Sequence, residues 1–280
     1  MNNVYIINAL ASTDSGDVHG GAIYCNGVNL NNVTVIGSRA ATDDGKSYGG
    51  AIYWVSGGQG YLINSTFERN TANYGGAICN LRTINVDGTS FIGNVAIEGG
   101  AIYCQNAVIL TDSTFELNSA KRGGAVYVQK FNLQIDGSTL RNNTAEEKGG
   151  AIYYVHKSGL TTFIRNSDLV NNTAFQGSAI YTSNLFELTN VILLDNQANS
   201  KEFIEKHVGV DGTGRNYTSA VFVGFDNVLN AIWDEEAVIS ISCNNVTYWG
   251  VNGINVSNSV PRRSDREVWQ KVIVEVFNGN

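Results

Sequence analysis

Three aspartates, Asp87, Asp112 and Asp136, recur 25 and 24 residues apart, each just after a short apolar run. If such a spacing stacks one strand-width per copy, their carboxylates form an acidic column. Neighbours in it would approach the roughly 5–5.5 Å of a retaining glycosidase pair, and alternate members the roughly 6.5–9.5 Å of an inverting pair. The same oxygens would serve calcium. Against this, aspartate is an ordinary turn residue, and Asp-Gly and Asp-Ser dipeptides need no further reason to occur. Asn64, Asn166 and Asn190 flank the three in nearby register, and no Asn-Thr-Asp, paired Asp-Asp or Arg-x-Lys series surrounds them. Asp43-Asp44 falls in an inserted loop, where solvation is sufficient explanation.

A second recurrence is aromatic. Tyr24, Tyr53, Tyr103, Tyr127, Tyr153 and Tyr181 occupy the same place in a repeated segment, with Cys79 at that place in one copy. A row of exposed amphipathic rings would stack against sugar rings and donate hydroxyl hydrogen bonds. The structural alternative is a ladder that only stiffens a sheet. Trp54, Tyr154 and Phe175 extend either role, and Trp54 joins the six tyrosines as the candidate ligand-binding set. The histidines, His19, His156 and His207, share no consistent Ser, Cys or carboxylate companion, so no nucleophilic triad is indicated. Cys25, Cys79, Cys104 and Cys243 show no C-x-x-C spacing and no companion His cluster, so no zinc site is indicated, and no cofactor is expected. Buried free thiols are the simpler reading. In an exported protein they would fit a reducing habitat.

The elements that position these residues come from a repeat. Gly-Gly-Ala or a near copy begins at Gly20, Gly49, Gly75, Gly99, Gly123, Gly149 and Gly177, at intervals of 24 to 29 residues; Ser178 replaces the second glycine of the last copy. A Phe-x-x-Asn motif keeps pace from Phe67, Phe91 and Phe115, and weakens to Leu140–Asn143, Leu169–Asn172 and Leu193–Asn196. Three short strands and three turns consume such a period. That fits one turn of a right-handed, single-stranded parallel β-helix better than a propeller blade of about 40 residues. The composition agrees, with 31 Gly, 35 Asn, one Pro and 15% charged residues: turn formers and strand formers, few helix formers.

Strand alternation assigns faces. The residue before each repeated tyrosine is Ile23, Ile52, Ile78, Ile102, Val126, Ile152 or Ile180 and should point into the core; the tyrosines should then face out. The Phe/Leu positions should stack inward and their asparagines sit at a corner, bonding up and down the column. Insertions appear as "RAATDDGKSY" before Gly49, "VSGGQG" after Trp54 and "VHKSG" after Tyr154, and loops on one side of a solenoid are where binding surfaces develop.

Net charge −7 and the lack of a basic stripe argue against a nucleic-acid partner. The cationic run Pro261–Arg266 reads as a linker. No apolar run reaches membrane-spanning length, and the N-terminus lacks the pattern of a signal peptide. Seven Asn-x-Ser/Thr sequons begin at Asn32, Asn64, Asn142, Asn171, Asn216, Asn245 and Asn255, a number that an Asn- and Thr-rich chain also reaches by chance. Strand-like runs at 219–223 and 237–242 predict irregular last coils and a cap. Residues 1–250 are thus expected to form the β-helix. Residues 251–280 read as a polar linker and one further strand, Val268–Phe277, that would begin another domain.

The Gly-Gly-Ala-Ile and Phe-x-x-Asn pair over residues 20–196 resembles the repeats of chlamydial polymorphic membrane proteins. "LNAIWDEEAVISISCNNVTYWGVNG" from Leu229, then "SVPRRSDREVWQKVIVEVFNGN", is similar to the junction in adhesin-like proteins of gut methanogenic archaea where a β-helix gives way to immunoglobulin-like repeats, which implies that residues 251–280 lead into such a domain. The resemblance implies an extracellular, cell-surface, noncatalytic adhesin module, a monomeric part of a larger protein, whose partner is a surface glycan or protein of another cell. It supplies no catalytic motif. Parallel β-helices also carry polysaccharide lyases and glycoside hydrolases, which keeps an enzyme using the acidic column as the alternative, with a passive stalk as the third reading.

Overall fold

A circuit of the chain opens at Gly99. Its φ of +66° lies in the left-handed region, and an added Cβ would collide with the Ile102 carbonyl; the first glycine of all seven pairs has φ between +63° and +69°. The second glycine answers to a different constraint. A Cβ on Gly100 would strike the carbonyl oxygen of Gly124, its counterpart one coil away. The pair thus combines a corner with a contact between coils.

From there Ile102–Cys104 forms one short strand and Val108–Thr111 a second; Asp112 turns the corner at φ +46° into Thr114–Glu116. Leu117 turns the next at φ +57°, and Ser119–Arg122 leads back to Gly123. Up to residue 198 the strands pair parallel with their equivalents 24 to 32 residues away, as in Ile102↔Val126, Phe115↔Leu140 and Thr34↔Thr66. The result is a parallel β-solenoid of about seven turns. The strands after the seven Gly-Gly copies, joined by Val221–Val223, make an eight-stranded sheet. Two strand columns, meeting at the Asp112 corner, merge into a second sheet, and the segments after the Asn corner form short third pieces. One face of the circuit therefore carries two strands where the repeat alone suggests one.

The computed structural model describes residues 1–27, 29–155, 162–182, 186–189, 191–194 and 196–198, with the strands at 221–223, 241–244, 246–249 and 255–256. Those last strands continue the columns: Val221–Val223 pairs with Ile180–Thr182, Ile241–Asn244 with Phe186–Thr189, and Val246–Trp249 with Ile192–Leu194. Asn255–Val256 then turns back antiparallel on Val246–Thr247. The segment 268–277, read as a strand from the sequence, lies outside the described residues. There is no helix among the described residues, hence none long and apolar enough to cross a membrane.

Side chains sort as the alternation requires. Ile23, Ile52, Ile78, Ile102, Val126, Ile152 and Ile180 all lie in the main core. So do Phe67, Phe91 and Phe115, whose rings stack at 5.1 and 4.6 Å. Burying each such ring contributes on the order of 2–3 kcal/mol. Beside them Asn70, Asn94, Asn118, Asn143, Asn172 and Asn196 are buried in one ladder. Each Oδ1 from Asn94 onward accepts the backbone N–H and the Nδ2–H of the preceding member at 2.9–3.1 Å. The Nδ2 groups also donate to carbonyls behind, Asn118 to Phe91 at 3.0 Å. A buried amide costs little when every polar atom is paired this way.

Candidate functional site

The tyrosine ladder forms, but not as an exposed surface. Tyr53, Tyr103, Tyr127, Tyr153 and Tyr181 do point away from the main core, yet they are only 1–9% exposed and make a second apolar cluster with Cys79. The reason is the stacking itself. Tyr103, Tyr127, Tyr153 and Tyr181 follow one another at 5.0, 4.7 and 5.2 Å with interplanar angles of 24°, 25° and 6°, so each ring face is covered by the next ring. Tyr24, at the end of the row, is 60% exposed. The expectation of an outward-facing platform of six rings is corrected accordingly: alternation assigns direction, and neighbours decide exposure.

A flanking column completes the cover. The residue before each Gly-Gly pair lines up as His19, Tyr48, Tyr74, Glu98, Arg122, Lys148 and Gln176. Arg122 lies over the Tyr153 ring at 5.9 Å and Lys148 over the Tyr181 ring at 4.6 Å, with Lys148 Nζ 3.0 Å from the Tyr181 hydroxyl. Arg122 also pairs with Glu98. Burial pushes the Glu98 carboxyl up even though Arg122 pulls it down. For Arg122, burial is the largest single effect and lowers the guanidinium, but Glu98, Tyr127, Tyr153 and Glu147 together raise it by more, so the net movement is upward. This column was missed from the sequence, although its constant place ahead of each glycine pair was a usable signal. His19 belongs to it and stacks on Tyr48 at 5.1 Å, a packing role; His156 and His207 lie outside the described residues.

Trp54 is fully buried and cannot join an exposed set. Its indole occupies the space that a Cβ on Gly60 would need, and Nε1 donates to the Ser56 carbonyl at 2.8 Å. It therefore pins the inserted 55–60 loop. Tyr154 is likewise buried, while Phe175 is exposed. The insertion after Tyr154 lies outside the described residues beyond Val155.

The three aspartates do not form one column. Asp87 and Asp136 both pair with Thr111, whereas Asp112 stands one position later, at the corner occupied by Asn64, Gly88, Gly137 and Asn166 in other coils. A one-residue offset separates the middle carboxylate from its neighbours, because that corner needs a left-handed residue and Asp112 supplies it where Gly88 and Gly137 do elsewhere. Asp136 also accepts from Asn166 Nδ2 at 2.8 Å. Asn190 lies outside the described residues. Among the described residues no cluster of three or more His, Cys, Asp or Glu side chains is arranged to hold a metal ion.

Cys25, Cys79 and Cys104 are free, the last two buried; burial raises the Cys79 thiol well above its usual range and the Cys104 thiol to about 12. The Cys104 thiol donates to the Arg82 carbonyl at 3.2 Å. Beside it a shallow cleft of about 310 Å³ opens between the loop pinned by Trp54 and the next corners, lined by Gly57, Gly58, Gln59, Arg82, Thr83 and Asn106. None of the sequence-derived candidates lines it. A hydroxyl ladder was also missed: Ser65, Thr89, Ser113, Ser138 and Ser167 each accept a backbone N–H from the adjacent coil at 3.1–3.2 Å.

Fold and columns together define a β-solenoid assembled from an in-register sequence repeat. A sequence model of the Chlamydia polymorphic membrane protein repeat matches residues 64–81, 88–105 and 137–154. Each matched segment starts at the left-handed Asn64, Gly88 or Gly137 corner and runs through the Phe/Leu and Asn positions to the end of the Gly-Gly strand or one residue past it. Comparison with curated proteins and with solved structures gave no match.

Proposed function

We propose that this chain is a noncatalytic, adhesin-like module acting at a cell surface, where it attaches to other cells or to surface polymers, glycans foremost. The observation that carries the reading is the match of three separate coils to the polymorphic membrane protein repeat. Support also comes from the architecture, since a rod of stacked coils holds lateral loops at fixed height. The module works in this reading as a monomeric part of a larger extracellular protein, and the similarity of residues 229–280 to adhesin-like proteins of methanogenic archaea supplies the proposed source. The enzyme alternative loses its motivating carboxylate column, because Asp112 is out of register with Asp87 and Asp136.

Retention of the labelled chain on intact microbial cells and on immobilised cell-wall polymers tests the proposal. Saturable binding, competed by unlabelled chain, is expected. Equal background on every cell type and polymer would leave the passive stalk as the better description.

A further inference from the structure

We propose that the cleft at Arg82 is an anion-selective sugar site, which takes a carboxylate-bearing residue of an acidic polysaccharide; this deepens the surface-binding reading and rests on it. Donors and acceptors lining the cleft are unequally engaged. Asn106 Oδ1 is already occupied by the backbone N–H of Ala107 at 2.9 Å and by the Thr83 hydroxyl at 3.4 Å, which leaves its Nδ2 to donate. Gln59 Oε1 is reached by the Tyr61 hydroxyl at 3.4 Å, which leaves Nε2. The Thr83 carbonyl accepts from Gly60 N at 3.3 Å. The two side-chain amide oxygens and the Arg82 and Thr83 carbonyls are thus engaged, while both side-chain NH2 groups remain to donate.

Charge points the same way. The Arg82 guanidinium makes no ion pair or hydrogen bond among the described residues, and the backbone N–H groups of Gly57, Gly58 and Gln59 make none either. Gly57 has φ +99°, and consecutive free N–H groups around a left-handed residue are an arrangement that receives anions. No carboxylate lines the cleft, although acids outnumber bases in the chain by 25 to 18.

The site is also held in advance. Buried Asn80 clamps the Arg82 backbone, accepting its N–H at 2.9 Å and donating to its carbonyl at 2.6 Å, while Cys104 donates to the same carbonyl. On the opposite wall Trp54 fixes Ser56 and Gly60, and the Ser56 hydroxyl donates to Asn26 Oδ1 at 3.1 Å. Tyr61, exposed and tied to Gln59, sets an aromatic ring beside the donors, which is the surface a pyranose face prefers. An anion pocket next to a free ring fits an acidic sugar better than a bare inorganic ion.

The test is calorimetric titration of the whole chain with a galacturonic acid trimer, a sulfated heparin-derived tetrasaccharide and neutral maltotriose. The trimer should bind, weaken with added salt, and lose at least tenfold in affinity in Arg82→Ala; Asn106→Ala should lose less. Arg82 is exposed, and unchanged circular dichroism and melting would verify that its variant folds. Preference for the sulfated sugar with the same Arg82 dependence would support the anion site and assign its ligand to sulfate. Binding indifferent to Arg82→Ala, equal binding of maltotriose, or no binding of either acidic sugar would overturn it. Retention on cells in the same preparations would then show that the surface-binding reading survives the loss of this site, and absence of retention that both fall.

Discussion

Asn118 and Asn143, 25 residues apart, are joined twice by the same oxygen: Asn143 Oδ1 accepts the Asn118 backbone N–H at 3.1 Å and its Nδ2–H at 3.0 Å. Because Asn118 Oδ1 serves Asn94 in the same way, a change at this position disturbs two interfaces between coils. Asn118→Leu strands buried donors and acceptors on both sides, at about 1–3 kcal/mol each. Asn118→Asp is expected to be no better, since a carboxylate cannot donate to the Phe91 carbonyl or to Asn143. Both should lower the thermal midpoint sharply, while Asn106→Ala, outside the ladder, should shift it little. Equal midpoints for all three would refute the ladder's role.

Gly100→Ala places a methyl group on the Gly124 carbonyl, which is backbone and cannot swing aside. A loss of at least about 3 kcal/mol is expected, in the range of the larger single-site effects. Gly27→Ala is the companion, because nothing lies within 4 Å of its added Cβ. Denaturant unfolding should leave it close to wild type.

The stacked tyrosines carry an alkaline signature. Burial, with the Cys79 thiol adding to it, pushes Tyr53 up to about 12, and burial with neighbouring Tyr127 and Glu98 pushes Tyr103 higher still. A phenol whose folded pKa is raised contributes stability that is complete below the unfolded value, about 10, and is lost as pH rises through the folded one. Absorbance of phenolate should therefore show Tyr53 and Tyr103 protonated near pH 11 in the folded chain, with their ionisation coinciding with loss of structure. Difference spectra against Tyr53→Phe and Tyr103→Phe isolate their share. Ionisation of either phenol near pH 10 in folded protein would contradict the packing.

Glu98 gives the corresponding test at acid pH. Its carboxyl is raised by burial, so the stability it contributes is present below the ordinary glutamate range, about 4.3, and is lost as pH climbs through its higher folded value. The difference in thermal midpoint between wild type and Glu98→Gln should accordingly move in favour of the variant as pH rises toward neutrality. A difference that is flat with pH would mean that Arg122 fully offsets the burial.

Substitution at Tyr127 tests structure before binding. Tyr127→Ala removes a ring stacked on both faces and should cost about 3 kcal/mol, comparable to other buried aromatic truncations. Tyr24→Ala, at the exposed end, should melt like wild type. Any loss of ligand binding in the first variant would have to be read against its melting curve.

What the sequence disclosed and what it withheld follow from range. The Gly-Gly corner, the Ile102 column, the Phe115 stack and the Asn118 ladder each reflect one residue meeting its own copy a coil away, and a period in the sequence reports that contact directly. Tyr103 was assigned the correct direction but the wrong exposure, since its cover comes from Tyr127 and from the Glu98–Arg122 column, which a single-strand pattern does not contain. Asp112 was grouped with Asp87 and Asp136 because coils of unequal length conceal a one-residue offset. The Arg82 cleft had no periodic signal at all: it exists where an insertion after Trp54 breaks the repeat, and only Gly57–Gly60 and the later corners together make it.

Since Gly99 and Gly123 occupy equivalent corners, the 24 residues between Glu98 and Gly123 form a closed architectural unit. Excising residues 99–122 would join Glu98 to Gly123 with every column of Ile, Phe and Asn still meeting a partner of its own kind, in a rod about 4.8 Å shorter. Duplication would lengthen it by the same step. The length of the rod is thus a quantity that recombination within such a gene adjusts in fixed increments, without any new core having to be invented.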